Sequence, residues 1–394
     1  MTLSLTDAVY GPHNPFSRDP SAEESWYTFL PGISKLLLGI IPSVTRRKSL
    51  QARARVVEAF ERYYSNGGHL GASTMVQDQY LHQSTWNLPS QELAKMDIAT
   101  CVAILSSGGI SSYWMLYHTY SNPEILGKCI EELSQLLEDK ESADGQRYRF
   151  LDLSQIATRC RIFFAMLQET FRFHSTIISA KSVTCDTFLD NQYLLRKGGM
   201  VLIPGPVIHK NTEVWGPDAH EFNHKRFLNK RKIGTSVFRP FGSSETMCPG
   251  RHFWTNCILS FAAMMILQYD IIPEDGQWRM PSKRDADIWN TMPKPLENQV
   301  TVKRRVQDEK ELPFKFVWGE SDELLHTETH VQLGSDEKLQ ALSLSESDEL
   351  LHTETHVELG NDEKARASSL HEISSGSLAT GCSSQQATDV EFRG

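Results

Sequence analysis

One short string carries the densest chemistry in the 394-residue chain: Phe238-Arg-Pro-Phe-Gly-Ser-Ser-Glu-Thr-Met-Cys248-Pro-Gly-Arg-His-Phe253. A loop rich in glycine and serine delivers a single cysteine to the start of an apolar helix, expected to begin after Gly250 and to run to about Tyr269. The free N–H groups and positive dipole end of such a helix favour an ionised sulfur, so Cys248 is placed to act as a thiolate and a soft metal ligand. Phe241, seven residues upstream, can cover that sulfur and exclude water; Gly242 closes the Pro-Phe-Gly run, and Gly250 lets the backbone pass close to a flat ligand. A Cys-Pro-Gly by itself also fits an ordinary buried cysteine at a helix start. The specificity lies in the whole string.

Four further constellations can do chemistry. Glu169-Thr-Phe-Arg172 sets a carboxylate and a guanidinium at i, i+3 on one helix face, a pair that on a surface contributes only a few tenths of a kcal/mol. Phe222-Asn-His-Lys-Arg226-Phe227, preceded by Trp215-Gly-Pro-Asp, offers a second guanidinium. Ser106-Ser107-Gly108-Gly109 puts two hydroxyls in the middle of a long apolar helix. In Ser179-Ala-Lys181, the lysine reads equally as a cation for an acidic group or as an exposed side chain.

These groups need positioning elements. From Ser90, an N-cap candidate after Pro89, apolar residues recur at helical spacing to Tyr117, with a stop at Ser121-Asn122-Pro123. That predicts a helix of roughly 30 residues, softened where its two adjacent glycines cost about 1 kcal/mol each. Asn122 and Pro123 cap a second helix to about Glu138, and Ile156 to Phe173 forms a third. Short strands are expected at Tyr193-Leu-Leu, Met200-Val-Leu-Ile-Pro and Val207-Ile-His, separated by Gly198-Gly199 and Pro204-Gly205-Pro206 turns. Residues 46–64 form a basic amphipathic stretch that reads as part of a surface helix pair or of a membrane-dipping or channel-lining pair. The first 24 residues, rich in proline, glycine, asparagine and serine, show no recognisable entry into a fold. The fold class expected is mainly α with a minor β-sheet.

On these residues the chain resembles the cytochrome P-450 family. Pro-Phe-Gly followed by Cys248-Pro-Gly-Arg is similar to that family's haem-binding loop, Glu169-x-x-Arg172 to its Glu-x-x-Arg, and the string through Arg226 to its Phe-x-Pro-x-Arg-Phe, with His224 where proline is usual. The resemblance implies a partial cytochrome P-450 fold lacking the N-terminal third, a haem b cofactor with Cys248 as axial iron ligand, and Glu169, Arg172 and Arg226 as a charged network bracing the haem loop. It implies Ser107 at the position of the usual distal threonine, Ser106 at that of the usual acid, and Lys181 beside a haem propionate. Thr246 where many members carry arginine, Ser244 in place of a common glycine, and the order of residues around Ser106 look most like the branch of sterol 7- and 8-hydroxylases and prostacyclin synthase, with its fungal members.

The function so implied is a monooxygenase that hydroxylates a lipophilic, steroid- or terpenoid-like substrate of secondary metabolism with electrons from an NADPH-dependent flavoprotein reductase. Loss of the distal acid leaves open an isomerase-type rearrangement, and the missing N-terminal third leaves open a catalytically silent fragment. Lys225, Lys230, Arg231, Lys232 and Arg251 are candidates to steer an acidic electron donor.

Charge divides the chain. Residues 320–394 carry 16 acidic and 4 basic side chains, a net of −12, against 33 acidic and 36 basic in the rest, so the body is near neutral and no nucleic-acid partner is expected. ESDELLHTETHVQLGSDEK at 320–338 recurs as ESDELLHTETHVELGNDEK at 346–364, a tandem duplication of period 26. Two copies cannot build a solenoid, so the expected organisation is a haem domain over 1–319 and an acidic disordered tail over 320–394. His326 with His330, and His352 with His356, read as solvated tail residues. The seven cysteines have no zinc-like spacing, the first residues do not read as a signal peptide, and reduced cytosol-facing thiols are expected. No transmembrane segment is expected, since the apolar runs Leu36–Pro42 and Ile258–Leu267 are too short; endoplasmic reticulum membrane association is implied by the resemblance alone.

Overall fold

The opening residues, whose composition reads as irregular chain, are helical because those same residues act as caps. Asn14 Oδ1 accepts from Phe16 N at 3.1 Å and Asp19 Oδ1 from Ser21 N at 3.1 Å, with Pro15 and Pro20 just inside each helix, where a missing N–H costs nothing. The result is α1 (Thr2–Tyr10), α2 (Pro15–Arg18) and α3 (Pro20–Phe29), which bury Tyr10, Phe16 and Trp26. The computed structural model describes residues 2–33, 36, 47–228, 233–242, 247–284, 291–296, 299–305 and 312–319. Most of the Leu36–Pro42 run, Lys230, Arg231, Lys232, Ser244, Thr246 and the acidic tail lie outside the described residues.

The basic stretch becomes α4 (Arg47–Ser65), which sends Val56, Phe60, Tyr63 and Tyr64 inward and keeps Arg47, Lys48 and Arg55 exposed. It packs against α3 and, beyond α5 (Thr74–Ser84), against α6 (Ser90–Leu105). Edge-to-face contacts tie Phe60 to Tyr10 at 5.0 Å and to Phe16 at 5.6 Å, so this helix is part of the core rather than a membrane-dipping element.

The long helix is divided. α6 ends at Leu105, Ser106 and Ser107 form a bend, and α7 (Gly108–Tyr120) resumes. Ser90 is the first helical residue, with Pro89 rather than the serine at the N-cap. Gly108 is required by packing: a Cβ there would lie 1.8 Å from the Trp254 ring. One earlier expectation needs correcting on composition, because the stretch Ser90–Tyr120 is long and apolar enough to cross a membrane. Cys101, Trp114 and Met115 are fully buried in it, and the bend interrupts it, which marks the stretch as a core helix.

α8 (Pro123–Ser134) starts where Asn122 Oδ1 accepts from Glu124 N and Ile125 N at 3.1 and 3.2 Å. A hairpin follows, β1 (Glu138–Glu141) with β2 (Arg147–Asp152). The third predicted helix breaks at Cys160 (φ −96, ψ 84) into α9 (Ile156–Arg159) and α10 (Arg161–His174). Glu132 of α8 caps α10, accepting from Ile162 N at 2.9 Å and Phe163 N at 3.0 Å.

The described residues fall into two units, one built from residues 2–181 and 200–319 and the other from residues 182–199. The described part of the second is a hairpin, β4 (Thr187–Leu189) with β5 (Tyr193–Leu195), turned at Asp190 and Asn191, both at positive φ. In the first unit β3 (Ile178–Ser182) pairs with β6 (Met200–Pro204). The strand expected at Val207-Ile-His is instead α11 (Gly205–His209), because Pro206 sits in its first turn, where a fixed φ favours helix. α12 (Thr212–Trp215) and a 3₁₀ turn, His224–Phe227, lead toward the cysteine loop. α13 (Arg251–Gln268) then passes into β7 (Tyr269–Pro273); β8 (Lys283–Arg284) pairs with β9 (Lys294–Pro295), β10 (Val300–Arg304) with β7, and β11 (Phe314–Val317) runs parallel to β2. The body is mainly helical with small sheets.

Candidate active site

The cysteine loop is closed by its own backbone. Cys248 N donates to the Phe241 carbonyl at 2.8 Å, and Gly242 between them takes φ +82, a left-handed conformation that suits glycine. Gly250 has φ −80, and a Cβ there would meet only ordinary contacts at 3.7 Å from Trp254 and 3.9 Å from Cys248 Sγ. The close backbone turn thus belongs to Gly242. Cys248 is half-buried and sits three residues before the first residue of α13.

Its side chain opens onto a cavity of about 530 Å³. Phe241, Gly242, Cys248 and Trp254 form one wall; Val102, Ser106, Ser107 and Gly108, at the break between α6 and α7, form the facing wall. Ile177, Ile178, Ser179 and Ala180 close a side. Phe171 packs edge-on against Phe241 with ring centroids 5.0 Å apart. Of the described lining residues, Cys248 alone carries a thiol, and none carries a carboxylate or an imidazole. Lys181, the residue after Ala180, does not line it.

The hydroxyls at the helix break are held in place. Ser107 Oγ accepts from Thr291 N at 3.3 Å and lies 3.4 Å from Ser106 Oγ, while Ser111 Oγ donates to the Ser107 carbonyl at 3.0 Å.

Glu169 and Arg172, both fully buried, form a two-pronged pair: Arg172 Nε to Glu169 Oε2 and Arg172 Nη2 to Glu169 Oε1, each 2.7 Å. The remaining guanidinium protons go to the carbonyls of His209 (2.6 Å), Ala219 (2.8 Å) and Glu221 (2.9 Å). Asn223 N donates to Glu169 Oε1 at 2.7 Å, and Arg226 Nε lies 3.6 Å from the same oxygen. Arg226 is held mainly elsewhere, by the Trp215 carbonyl at 2.5 Å and the Asp218 carboxylate at 2.7 Å. Burial is the largest influence on the Glu169 carboxyl and raises its pKa, against the opposing pull of Arg172, Asn223 N–H and Arg226.

The structure therefore brings Cys248, Phe241, Gly242, Ser106 and Ser107 to one cavity, and Glu169, Arg172 and Arg226 to one buried network; Lys181 joins neither set. Sequence reasoning missed Trp254 and Thr291 in the cavity wall, and Asn223 in the network. Asn223 carried a legible signal, since a residue that caps a turn through its side chain leaves its own N–H free to point at a carboxylate.

The family model of cytochrome P450 matches residues 46–300. Among curated proteins the chain is 33% identical to the cytochrome P450 monooxygenase nodJ of Hypoxylon pulicicidum, over 77% of this chain and 61% of that protein. It is 27% identical to a cytochrome P450 monooxygenase of Gibberella zeae, over 71% of this chain and 55% of that protein. With the cytochrome P450 7A1 of Oryctolagus cuniculus it shares 24% identity, over 51% of this chain and 43% of that protein. The chain thus spans roughly half the length of the curated relatives it matches.

Proposed function

Because this chain belongs to the cytochrome P450 family, we propose that the protein is a haem-thiolate monooxygenase in which Cys248 Sγ is the axial iron ligand. The observation that carries this reading is that one sulfur on a cavity whose other described lining residues carry no carboxylate or imidazole, opposite the two hydroxyls of the helix break. The residues present fit a haem. Among the described residues no group of three His, Cys, Asp or Glu could hold a bare metal ion, whereas a single sulfur suits an iron already held by a macrocycle. The apolar walls suit a flat hydrophobic ring, and haem b is the form this site is proposed to take.

When bound, the haem supplies activation of dioxygen, tuned by thiolate donation. The chain's own residues position and shield. Phe241 and Phe171 form an apolar screen beside the sulfur, and the Phe241 carbonyl fixes the backbone that carries it. Ser107 Oγ, accepting from Thr291 N, keeps its own proton available to hand into the cavity. Glu169, Arg172 and Arg226 brace the structure behind the loop and touch no substrate.

The substrate proposed is lipophilic and steroid- or terpenoid-like, on the apolar lining. Electrons would come from an NADPH-dependent flavoprotein reductase, steered by exposed Lys225 and half-buried Arg251, at the cytosolic face of the endoplasmic reticulum membrane. A second reading, an isomerase-type rearrangement that needs no delivered proton, is favoured by the lack of any carboxylate or imidazole on the described lining.

The test is a difference spectrum of the haem-loaded full chain, reduced under carbon monoxide. The wild type should give the red-shifted Soret band of thiolate-ligated iron, and Cys248→Ser should lose it. A silent fragment would take up no haem, and an unchanged band in the serine variant would exclude Cys248 as the ligand. Ser107→Ala separates the two chemistries: greater leakage of electrons to peroxide at unchanged substrate binding supports proton delivery, and unchanged coupling supports rearrangement.

A further inference from the structure

His209 ends α11, is fully buried, and is touched from two sides. Its carbonyl accepts from Arg172 Nη1 at 2.6 Å, and its ring Nε2 accepts from Arg239 N at 2.9 Å. Phe238 packs beside the ring at 5.8 Å. The carbonyl of Arg239 accepts in turn from Gly242 N at 3.2 Å, so the residue is pinned through both its N–H and its C=O. Pro240 follows and has no N–H to give, which makes the Arg239 amide the last one before Phe241 at which this stretch can be anchored. From Phe241 the next link is the hydrogen bond from Cys248 N at 2.8 Å.

We propose that His209 is a positioning residue for the cysteine loop, its bare Nε2 carrying the order of the buried Glu169–Arg172 pair into the backbone that ends at Cys248. An accepting Nε2 places the ring proton on Nδ1, and Nδ1 is buried with no partner among the described residues. A proton on Nε2 would face the Arg239 N–H and leave that amide unpaired, so the contact selects the Nδ1–H tautomer. Burial, then Arg172 from α10 and Arg239 from the loop, lower the imidazole pKa to about 4, which keeps Nε2 free to accept near neutrality. Lys210 is the charged neighbour on its own segment.

The inference rests on the cysteine-ligand reading, and one experiment separates the two. In the haem-free full chain, hydrogen exchange of the Arg239 amide is measured for wild type, His209→Leu, His209→Gln and His209→Asn. The glutamine amide reaches about as far as Nε2, and the asparagine amide does not. Leu and Asn should speed Arg239 exchange about fivefold to tenfold, the factor for losing one neutral hydrogen bond, and Gln should restore it. After haem loading and reduction under carbon monoxide, the thiolate-type share of the Soret absorption should fall in the same two variants and recover in Gln. Exchange unchanged in Leu and Asn, or Gln as impaired as Asn, overturns the role of His209. Should Leu fail to fold, the Gln and Asn pair decides, since both are polar and differ in reach. A wild type without a thiolate band, with exchange responding as expected, overturns the ligand reading and leaves the positioning of the loop by His209 standing.

Discussion

Among the described residues two carboxylates are fully buried, and the chain meets them with different partners. Glu169, behind the cysteine loop, is met by the guanidinium of Arg172 at 2.7 Å on both oxygens and by Asn223 N. Asp97, on α6 in the region built by α1 and α4, has two phenols: Tyr10 OH donates to Oδ1 at 3.1 Å and Tyr64 OH to Oδ2 at 2.5 Å. Each of these tyrosines comes from a different helix, and Tyr10 OH also lies 3.5 Å from Cys101 Sγ. A guanidinium compensates charge and fixes geometry over a wide pH range. Neutral hydroxyls compensate only in part, so burial wins at Asp97 and its pKa is pushed up to about 6. Burial raises both carboxyls; behind the cysteine loop it is opposed by a buried guanidinium, and at Asp97 by hydroxyls alone.

The largest effect expected from breaking this contrast is at the guanidinium. Arg172→Leu removes both prongs from Glu169 and strands its charge in the interior, a loss of about 3–5 kcal/mol by urea denaturation. Replacing both partners, Glu169→Leu with Arg172→Leu, should recover part of that loss, since no charge is left uncompensated. A double variant no better than the single would show that the His209, Ala219 and Glu221 carbonyls, rather than Glu169, dominate the cost.

Next in size is the titration of Asp97. Its native pKa of about 6 stands above the ordinary 3.8, so the native state binds more protons between those values. The associated stability is fully present below about pH 4 and is lost as pH rises through 6, on the order of 2–3 kcal/mol. Asp97→Asn cannot titrate. The stability of the variant relative to wild type should therefore rise by that amount between pH 4 and pH 7, and a pH-independent difference would place a compensating cation near Asp97.

Much of the first region was legible in the sequence and almost none of the second. Glu169, Arg172 and Cys248 stand at short, unusual spacings whose residue types imply pairing or ligation, and local spacing survives folding. Asp97 lies in an amphipathic run that looks like any helix with a solvated face. Its partners are 87 and 33 residues away, and only the packing of α1 and α4 on α6 reveals them. Composition misled at the N-terminus, where asparagine, aspartate and proline are caps, and at Val207-Ile-His209, where two prolines outweigh β-propensity. That Gly242 takes the positive φ closing the cysteine loop was not legible, because a turn's handedness depends on where the chain must go next.

The finest test of the contrast is Tyr64→Phe, which keeps the ring contacts with Tyr63 at 5.2 Å and Tyr80 at 5.7 Å and deletes one hydroxyl. That hydroxyl opposes burial at Asp97, so its removal should move the titration upward from about 6. Below pH 5 the carboxyl is protonated in both proteins, and the loss should be about 1 kcal/mol, as for a neutral hydrogen bond. At pH 8 wild-type Asp97 is ionised, and losing a donor to a buried charge should cost about 2 kcal/mol. Stability curves for the two proteins should therefore diverge as pH rises from 5 to 8. Parallel curves would mean that Tyr64 contributes by packing alone, and that Tyr10 is the donor that keeps Asp97 ionised.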